Sequence, residues 1–238
     1  MPELIVALDL PDLGKALNMA RQLRGALGWC KVGLELYTLG GPRLVERLKE
    51  QGYNVFLDLK FYDIPHTVAH AVTAAGVLGV DMLTLHCQGG KRMCQAALEA
   101  RDGATDACSA PLLFGVTALT SFGPGEMPGV SAHPGVFARD LASAAAQWGL
   151  DGVVCSGHEV RDIKAANPGL ACLCPGIRPE GADTEDQRRT MTPAEAVEAG
   201  ADYLVVGRPI VEAPSPAEAA AAILEEMRAS AAPAKTTE

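Results

Sequence analysis

Residues 55–65 read VFLDLKFYDIP, an apolar run that ends in an acid, a base and a second acid. Near-continuous apolar runs of this length are typical of parallel strands that are buried on both faces. Side chains alternate along a strand, so Asp58 and Lys60 share one face, and Asp63 follows in the turn before Pro65. Two carboxylates about 4 Å apart repel by about 4 kcal/mol at an effective dielectric constant of 20 unless cations separate them. The cluster is therefore either a surface ion-pair network or a functional site.

Similar apolar runs recur along the chain, and each is followed by a helical pattern. Predicted strands cover residues 4–8, 30–34, 54–59, 82–85, 112–116, 152–155, 171–174 and 203–206. Predicted helices cover residues 13–23, 42–51, 67–78, 91–100, 134–148, 159–166, 193–199 and 216–228. Eight such repeats in about 230 residues indicate an α/β protein with the (β/α)₈ TIM barrel fold. We expect a single catalytic barrel domain over residues 1–229, followed by a flexible tail over residues 230–238.

A doubly wound open sheet also alternates strands with helices, so periodicity alone leaves it as an alternative. No Gly-x-Gly-x-x-Gly motif follows the first strand, which weakens the dinucleotide-binding version of that fold. Polar residues favour the barrel, because catalytic residues in TIM barrels lie where strands end. The predicted strand ends carry Asp9, Lys31, Asp58, Lys60, His86, Thr117, Thr120 and Arg208. Long connections at 121–133 and 179–192 are candidate lids over this end.

Composition and charge narrow the class of protein. The 238 residues are 48% hydrophobic, which is enough for a barrel-sized core. Twenty Lys and Arg oppose 29 Asp and Glu, giving a net charge of −9 without any basic run. Nucleic acid and anionic membrane surfaces are therefore excluded as expected partners, and an anionic ligand needs a few local cations.

Cysteine usage and the N-terminus predict a cytoplasmic protein. The seven cysteines are scattered, without a Cys-x-x-Cys pair, which is typical of a reducing compartment. Met1 leads into a short strand pattern rather than a secretory leader. No run of eighteen apolar residues predicts a membrane span.

Lys31 lies in the apolar run WCKVG at 29–33, where an ammonium needs a partner. If Lys31 faces the same barrel end as residues 58–63, it completes an alternating line of Lys31, Asp58, Lys60 and Asp63. A snorkelling surface lysine is the alternative. Asp9, at the end of the first strand, is predicted either to cap the next turn or to contact a ligand.

Two Gly-Arg elements suit a phosphate group. Gly207-Arg208 ends the eighth strand, and Gly176 and Arg178 follow the seventh, next to each other in a barrel. Glycine lets backbone N–H groups approach an oxyanion, and arginine adds a bidentate cation. Barrels frequently bind phosphate at these two loops. Two turns with solvated arginines are the alternative interpretation.

The remaining polar residues are less specific. Hydroxyls of Thr117 and Thr120 could read the edge of a heterocycle or cap a loop. His86 has no partner at metal-ligand spacing and is interpreted as a packed histidine. The five histidines are dispersed, so no metal site is predicted.

Taken together, these segments resemble the orotidine 5′-phosphate decarboxylase family. The resemblance rests on VALD at 6–9, KVG at 31–33, DLKFYDIPHTV at 58–68, VTALTS at 116–121, PGIRP at 175–179, DQRR at 186–189 and VGRPI at 206–210. It implies conversion of orotidine 5′-monophosphate to UMP and CO₂ in de novo pyrimidine biosynthesis, without a metal or organic cofactor. It also implies a homodimer.

The resemblance assigns a charged catalytic tetrad to Lys31, Asp58, Lys60 and Asp63. Lys60 is expected to protonate C6 as CO₂ leaves, and Asp58 to crowd the departing carboxylate. Lys31 and Asp63 are expected to hold this array and the ribose hydroxyls. Implied substrate-binding residues are Asp9, Ile64, Thr67, Thr120, Arg178, Gln187, Gly207 and Arg208.

Several of these roles are specific. Asp9 and Thr67 are implied ribose contacts, and Thr120 is expected to read the pyrimidine edge. The phosphate is assigned to Arg178, Gln187, Gly207 and Arg208. The resemblance places Asp63 and Thr67 in the neighbouring subunit's site. His66 and Tyr62 depart from the asparagine and histidine common in the family, which affects only the flank of the tetrad.

Two other classes of protein share part of this pattern. Magnesium-dependent keto-gulonate-phosphate decarboxylases and hexulose-phosphate synthases share Asp-x-Lys-x-x-Asp, but an acidic residue is expected there in place of Lys31. A catalytically silent phosphosugar- or nucleotide-binding module needs the phosphate cradle but not the tetrad. Lys31 favours the metal-free decarboxylase, and the complete tetrad disfavours the silent module.

Overall fold

A computed structural model of the chain describes residues 1–103, 110–127, 129–180 and 189–231. Eight strands in this described part close into a barrel in which each is parallel to the next and the last pairs with the first. The strands are β1 (Glu3–Ala7), β2 (Trp29–Gly33), β3 (Asn54–Phe61), β4 (Met82–His86), β5 (Leu112–Val116), β6 (Gly152–Val154), β7 (Ala171–Cys174) and β8 (Tyr203–Val206). The predicted TIM barrel is confirmed, and closure removes the open-sheet alternative.

Helices cover the outside of the barrel. They are α1 (Leu13–Leu23), α2 (Leu34–Glu50), α3 (Pro65–Val77), α4 (Gly90–Asp102), α5 (Pro134–Trp148), α6 (Val160–Ala166), α7 (Pro193–Ala199), α8 (Arg208–Val211) and α9 (Pro216–Ala231). The helix predicted at 42–51 begins earlier, because helical residues from Leu34 precede a kink at Gly41, which has φ 53°. Residues 230 and 231 continue α9, whereas 232–238 lie outside the described residues, so the tail stays a prediction. In the described ranges, no helix is long and apolar enough to cross a membrane.

Aromatic rings fill the interior of the barrel. Phe114 and Trp29 each meet the Tyr203 ring edge to face, with centroids 5.6 and 5.8 Å apart. Gly152 makes room for Phe114, since a Cβ at this glycine would lie 2.4 Å from the Phe114 ring. The interior is therefore packed below the carboxyl ends of the strands, where TIM barrels place their ligand sites.

Three Gly-x-Asp turns tie the opposite end of the barrel together, and the sequence reading did not single them out. Each aspartate precedes an even-numbered strand, accepts a backbone N–H from the neighbouring odd-numbered strand and pairs with a cation from a helix. The sets are Asp81 with Val55 N–H and Lys49, Asp151 with Leu113 N–H and Arg101, and Asp202 with Cys172 N–H and Lys164. Because these aspartates lie at the amino ends of the strands, the end of a TIM barrel that serves stability, we assign them to stability.

Replacing Asp151 by alanine is therefore expected to destabilise the fold by about 2 kcal/mol, because the Leu113 N–H loses its side-chain acceptor and Arg101 loses a partner. Urea unfolding at one fixed protein concentration measures this change. The matched control is Asp162→Ala, which breaks the Asp162–Arg139 pair, both members of which are well exposed. Exposed pairs contribute little, so the control should cost far less. Equal losses in the two variants would contradict the assignment.

Candidate functional site

A cavity of about 490 Å³ opens at the carboxyl ends of the strands. Its lining draws on residues that are far apart in sequence and follow different strands. Among the predicted site residues, those that line it are Asp9, Lys31, Asp58, Lys60, Thr120, Arg178, Gly207 and Arg208. Apolar side chains of Phe56, Val154 and Leu173 form part of its wall. The cavity thus combines charged groups with a partly apolar wall, as small-molecule sites do.

Four charged side chains form a continuous line, which we call the charged row: Asp9, Lys31, Asp58 and Lys60. The Lys31 Nζ lies 2.8 Å from Asp9 Oδ1 and 3.9 Å from Asp58 Oδ2. The Lys60 Nζ donates to Asp58 Oδ2 over 2.8 Å. The Lys31 and Asp58 side chains are only 10% and 13% exposed, so these attractions act in a partly desolvated place.

The charged row differs from the predicted line in one member. Within one chain Asp9, not Asp63, completes the alternation of signs. Asp9 pairs with Lys31 and lines the cavity, and its contact with a ligand stays a prediction. Lys31 is buried rather than snorkelling. Neighbouring strands produce this order, since β2 pairs with both β1 and β3.

Backbone irregularity brings Lys60 to the cavity. The register between β3 and β4 shifts between Leu57 and Phe61, which marks a β-bulge. Among the described residues Lys60 is the only non-glycine with positive φ, at 50°. Thr84 on β4 meets this bulge: its hydroxyl accepts the Lys60 N–H and donates to Asp58 Oδ1. The sequence reading missed Thr84, although a threonine within the apolar strand MLTLH was a possible signal.

Asp63, Ile64 and Thr67 are absent from the cavity lining of the single described chain. Asp63 is exposed, and one of its carboxylate oxygens accepts the Ile64 N–H over 2.6 Å. Ile64 and the nearby Tyr62 expose 65% and 61% of their surfaces. The predicted roles of these three residues in a site therefore stay predictions.

The two Gly-Arg elements lie beside each other because β7 and β8 are hydrogen-bonded neighbours. Gly176 has φ 75°, a conformation that favours glycine. Arg178 is buried, and its Nη1 donates to the Ile177 carbonyl over 3.0 Å. Gln187, the other predicted member of this cradle, lies outside the described residues.

Residues 189–191, just before α7, contact the segment after β7 and the loop after β6. Met191 and Ile177 form an isolated parallel bridge, in which the Arg178 N–H donates to the Met191 carbonyl. Arg189 pairs with Glu159, a buried side chain that also accepts the Ser156 N–H. Glu159 was missed by the sequence reading, since its partner is thirty residues away and only folding joins them.

The other candidates have structural explanations. The Thr117 hydroxyl donates to the Val154 carbonyl and is not part of the cavity lining, so it serves the loop. The His86 ring packs against Tyr62 with centroids 5.5 Å apart. Burial and the nearby Lys60 ammonium lower the pKa of the His86 imidazole, so it is neutral near pH 7. In the part of the chain that the structure describes, no three potential metal ligands cluster.

Comparison with known proteins shows the family to which the chain belongs. The family model described as orotidine 5′-phosphate decarboxylase / HUMPS family matches residues 2–223. The chain belongs to this family. A relative named orotidine 5′-phosphate decarboxylase from Nitratidesulfovibrio vulgaris (strain DP4) is 54% identical, covering 96% of this chain and 99% of the relative. One of the same name from Lawsonia intracellularis is 50% identical, covering 91% and 95%.

Two solved structures that are similar to this chain have the same fold. The crystal structure of orotidine 5′-phosphate decarboxylase from Lactobacillus acidophilus superposes with a TM-score of 0.85 at 33% identity, covering 95% of this chain and 99% of that chain. An uncharacterized conserved protein from Geobacillus kaustophilus has a TM-score of 0.82 at 35% identity, covering 94% and 99%. The predicted family is therefore confirmed.

Proposed function

We propose that this enzyme, a carboxy-lyase like its named relatives, converts orotidine 5′-monophosphate to UMP and CO₂ without a metal or organic cofactor. The observation that carries the proposal is the charged row, in which the half-buried Asp58 is hydrogen-bonded to Lys60 and lies near Lys31 at the cavity wall. The relatives that are about half identical over nearly their full length carry the same activity in their names.

Loss of CO₂ from C6 leaves electron density on a carbon that no cofactor delocalises. Stabilisation then requires a fixed cation and a proton source beside that carbon. Lys60 supplies both, and Asp58 holds its ammonium in place over 2.8 Å. Asp58 also repels a substrate carboxylate placed next to it, which favours departure of that carboxylate. In this mechanism Lys60 protonates C6, and Lys31 lies between the two carboxylates, 2.8 Å from Asp9 and 3.9 Å from Asp58.

The other end of the substrate is assigned to the Gly-Arg elements. Arg178, Gly207 and Arg208 line the cavity and suit a phosphate by charge and by backbone N–H donors. Gln187 is proposed to join them, Asp9 to contact the ribose and Thr120 to read the pyrimidine edge. Phosphate binding far from C6 can drive closure and desolvation, so these residues contribute to rate as well as affinity.

We further propose a homodimer with shared sites. Asp63, Ile64 and Thr67 lie outside one chain's cavity. The exposed side chains of Tyr62 and Ile64 form an apolar surface next to Asp63. A two-fold interface that covers this apolar surface would bring Asp63 and Thr67 into the partner's site. Burial of exposed apolar surface supplies the driving force. The tetrad then consists of three residues from one chain and Asp63 from the other.

The proposed reaction also indicates the metabolic pathway in which this enzyme acts. The family name implies pyrimidine biosynthesis, and we propose the de novo route in the cytoplasm. The six cysteines in the described ranges are all buried and unpaired, as in a reducing compartment.

The magnesium-dependent keto-gulonate-phosphate decarboxylases and hexulose-phosphate synthases are the main alternative, since they share the Asp-x-Lys-x-x-Asp pattern. The Lys31 ammonium, 2.8 Å from Asp9 and 3.9 Å from Asp58, argues against a divalent cation between those carboxylates. A cation there would repel Lys31 at close range.

The decisive experiment is turnover of orotidine 5′-monophosphate by protein treated with a chelator. We expect full activity, followed as loss of the orotate absorbance, because no step in the proposed mechanism uses a metal. Activity that disappears with chelator and returns with Mg²⁺ would support the alternative branch. Absence of turnover under both conditions would reject the decarboxylase proposal.

A further inference from the structure

Thr84 connects the two residues on which the proposed chemistry depends. It is fully buried in β4, with no surface accessible to solvent. Its hydroxyl accepts the Lys60 N–H over 3.0 Å and donates to Asp58 Oδ1 over 2.9 Å. One side chain on the neighbouring strand thus contacts the backbone of Lys60 and the carboxylate of Asp58.

The β-bulge explains why a side chain is needed here. Leu57 pairs with Leu83, and the next pair is Phe61 with Leu85. Three residues of β3 therefore lie opposite one residue of β4, which is Thr84. Bulged strands leave backbone groups outside the regular ladder. The Thr84 hydroxyl provides an acceptor for the Lys60 N–H at the point where the register shifts.

The hydrogen bond that Thr84 donates orients the Asp58 carboxylate. A threonine hydroxyl has a single proton, and here Asp58 Oδ1 accepts it. The other oxygen, Oδ2, is left for the lysines, at 2.8 Å from Lys60 Nζ and 3.9 Å from Lys31 Nζ. At the same time the Lys60 backbone is held at φ 50°, which is costly for a residue with a side chain.

We propose that Thr84 is a positioning residue for decarboxylation: its hydroxyl aims the Asp58 carboxylate at the lysines and holds the strained backbone of Lys60. The inference rests on the proposed function, since it assigns Thr84 a part in that reaction. Thr84 itself does not line the cavity, so it acts through Asp58 and Lys60 and not on the substrate.

The test compares Thr84→Val, which keeps the shape and removes the hydroxyl, with Thr84→Ser, which keeps the hydroxyl. For Thr84→Val we expect kcat to fall about 10- to 100-fold, because a hydrogen bond to a charged group is lost in a buried place. KM should change much less, since the proposed phosphate contacts are distant from β4. Thr84→Ser should retain most of the wild-type kcat. If Thr84→Val does not fold, Thr84→Ala replaces it.

Thr117→Val is the matched control. It also removes a buried threonine hydroxyl near the carboxyl end of a strand, but that hydroxyl bonds to the Val154 carbonyl and not to the charged row. We expect its kcat to stay close to that of the wild type. Equal kcat for Thr84→Val and the wild type would overturn the proposal, as would an equal loss in Thr84→Val and Thr117→Val.

Amide hydrogen exchange at Lys60 provides a measurement that does not depend on turnover. The Lys60 N–H should exchange faster in Thr84→Val than in the wild type, and Thr84→Ser should restore slow exchange. Failure of the proposed function would appear differently, as wild-type protein that does not consume orotidine 5′-monophosphate. If the wild type is active but the Lys60 N–H exchanges at the same rate in Thr84→Val, the proposed role of Thr84 is rejected and the proposed function stands.

Discussion

Replacement of Lys60 by alanine is expected to reduce decarboxylation of orotidine 5′-monophosphate about 10⁴-fold or more, because it removes both the general acid and the fixed cation. Lys60 lines the cavity, and its Nζ is hydrogen-bonded to Asp58. Among the described residues the only other lysine that lines the cavity is Lys31, which pairs with Asp9. Substrate should still bind, since the proposed phosphate contacts at Arg178 and Arg208 are intact.

The measurement is kcat under saturating substrate, with binding followed separately by calorimetry using UMP. Lys60→Arg separates the two roles, because arginine keeps a cation but does not release a proton. We expect it to be nearly as inactive as Lys60→Ala. Lys15→Ala, an exposed lysine on α1, is the control and should keep wild-type activity. Substantial turnover by Lys60→Ala would contradict its assignment as proton donor.

Asp63→Ala is expected to abolish most activity although Asp63 lies outside its own chain's cavity. In the proposed dimer this carboxylate completes the partner's tetrad, so its removal takes one of the two tetrad carboxylates from each site. A purely single-chain site predicts almost no effect. Steady-state kinetics of Asp63→Ala at a concentration that maintains the dimer distinguish the two cases.

Subunit mixing makes the sharing explicit. Equal amounts of Lys60→Ala and Asp63→Ala subunits, allowed to exchange, should recover about a quarter of wild-type activity, because half of the dimers are mixed and each has one intact site. The matched control mixes Lys60→Ala with Asp58→Ala. Both changes lie in the same chain's barrel, so that mixture should stay inactive. No recovery in the first mixture, with exchange shown by co-purification of differently tagged subunits, would refute the shared site.

Much of the fold could be predicted from local pattern. All eight strands lie within about two residues of their predicted bounds, because near-continuous apolar runs between helical patterns are a strong signal for buried parallel strands. The start of α2 could not be predicted well. Gly40-Gly41-Pro42 is typical of a break, yet helical residues lie on both sides of the kink at Gly41.

Part of the candidate site could be predicted in the same way. Lys31, Asp58, Lys60 and Arg208 lie within two or three residues of the carboxyl ends of their strands. These ends meet in a barrel, so a common cavity follows from fold class and spacing. The contact of Glu159 with Arg189 could not be predicted, because it depends on how two loops meet. The ion pairs between the Gly-x-Asp turns and their cations could not be predicted either, because each pair joins a turn to a separate helix.

The sequence by itself determined the barrel, the family and the charges at the cavity, because these depend on residue type, period and order along the chain. Tertiary structure alone decided which charges touch. It placed Asp9 in the charged row, left Asp63 outside one chain's cavity and set Thr84 between Asp58 and the Lys60 backbone. The reason is that these contacts depend on register between neighbouring strands, and a bulge of one strand changes that register without a mark in its apolar pattern.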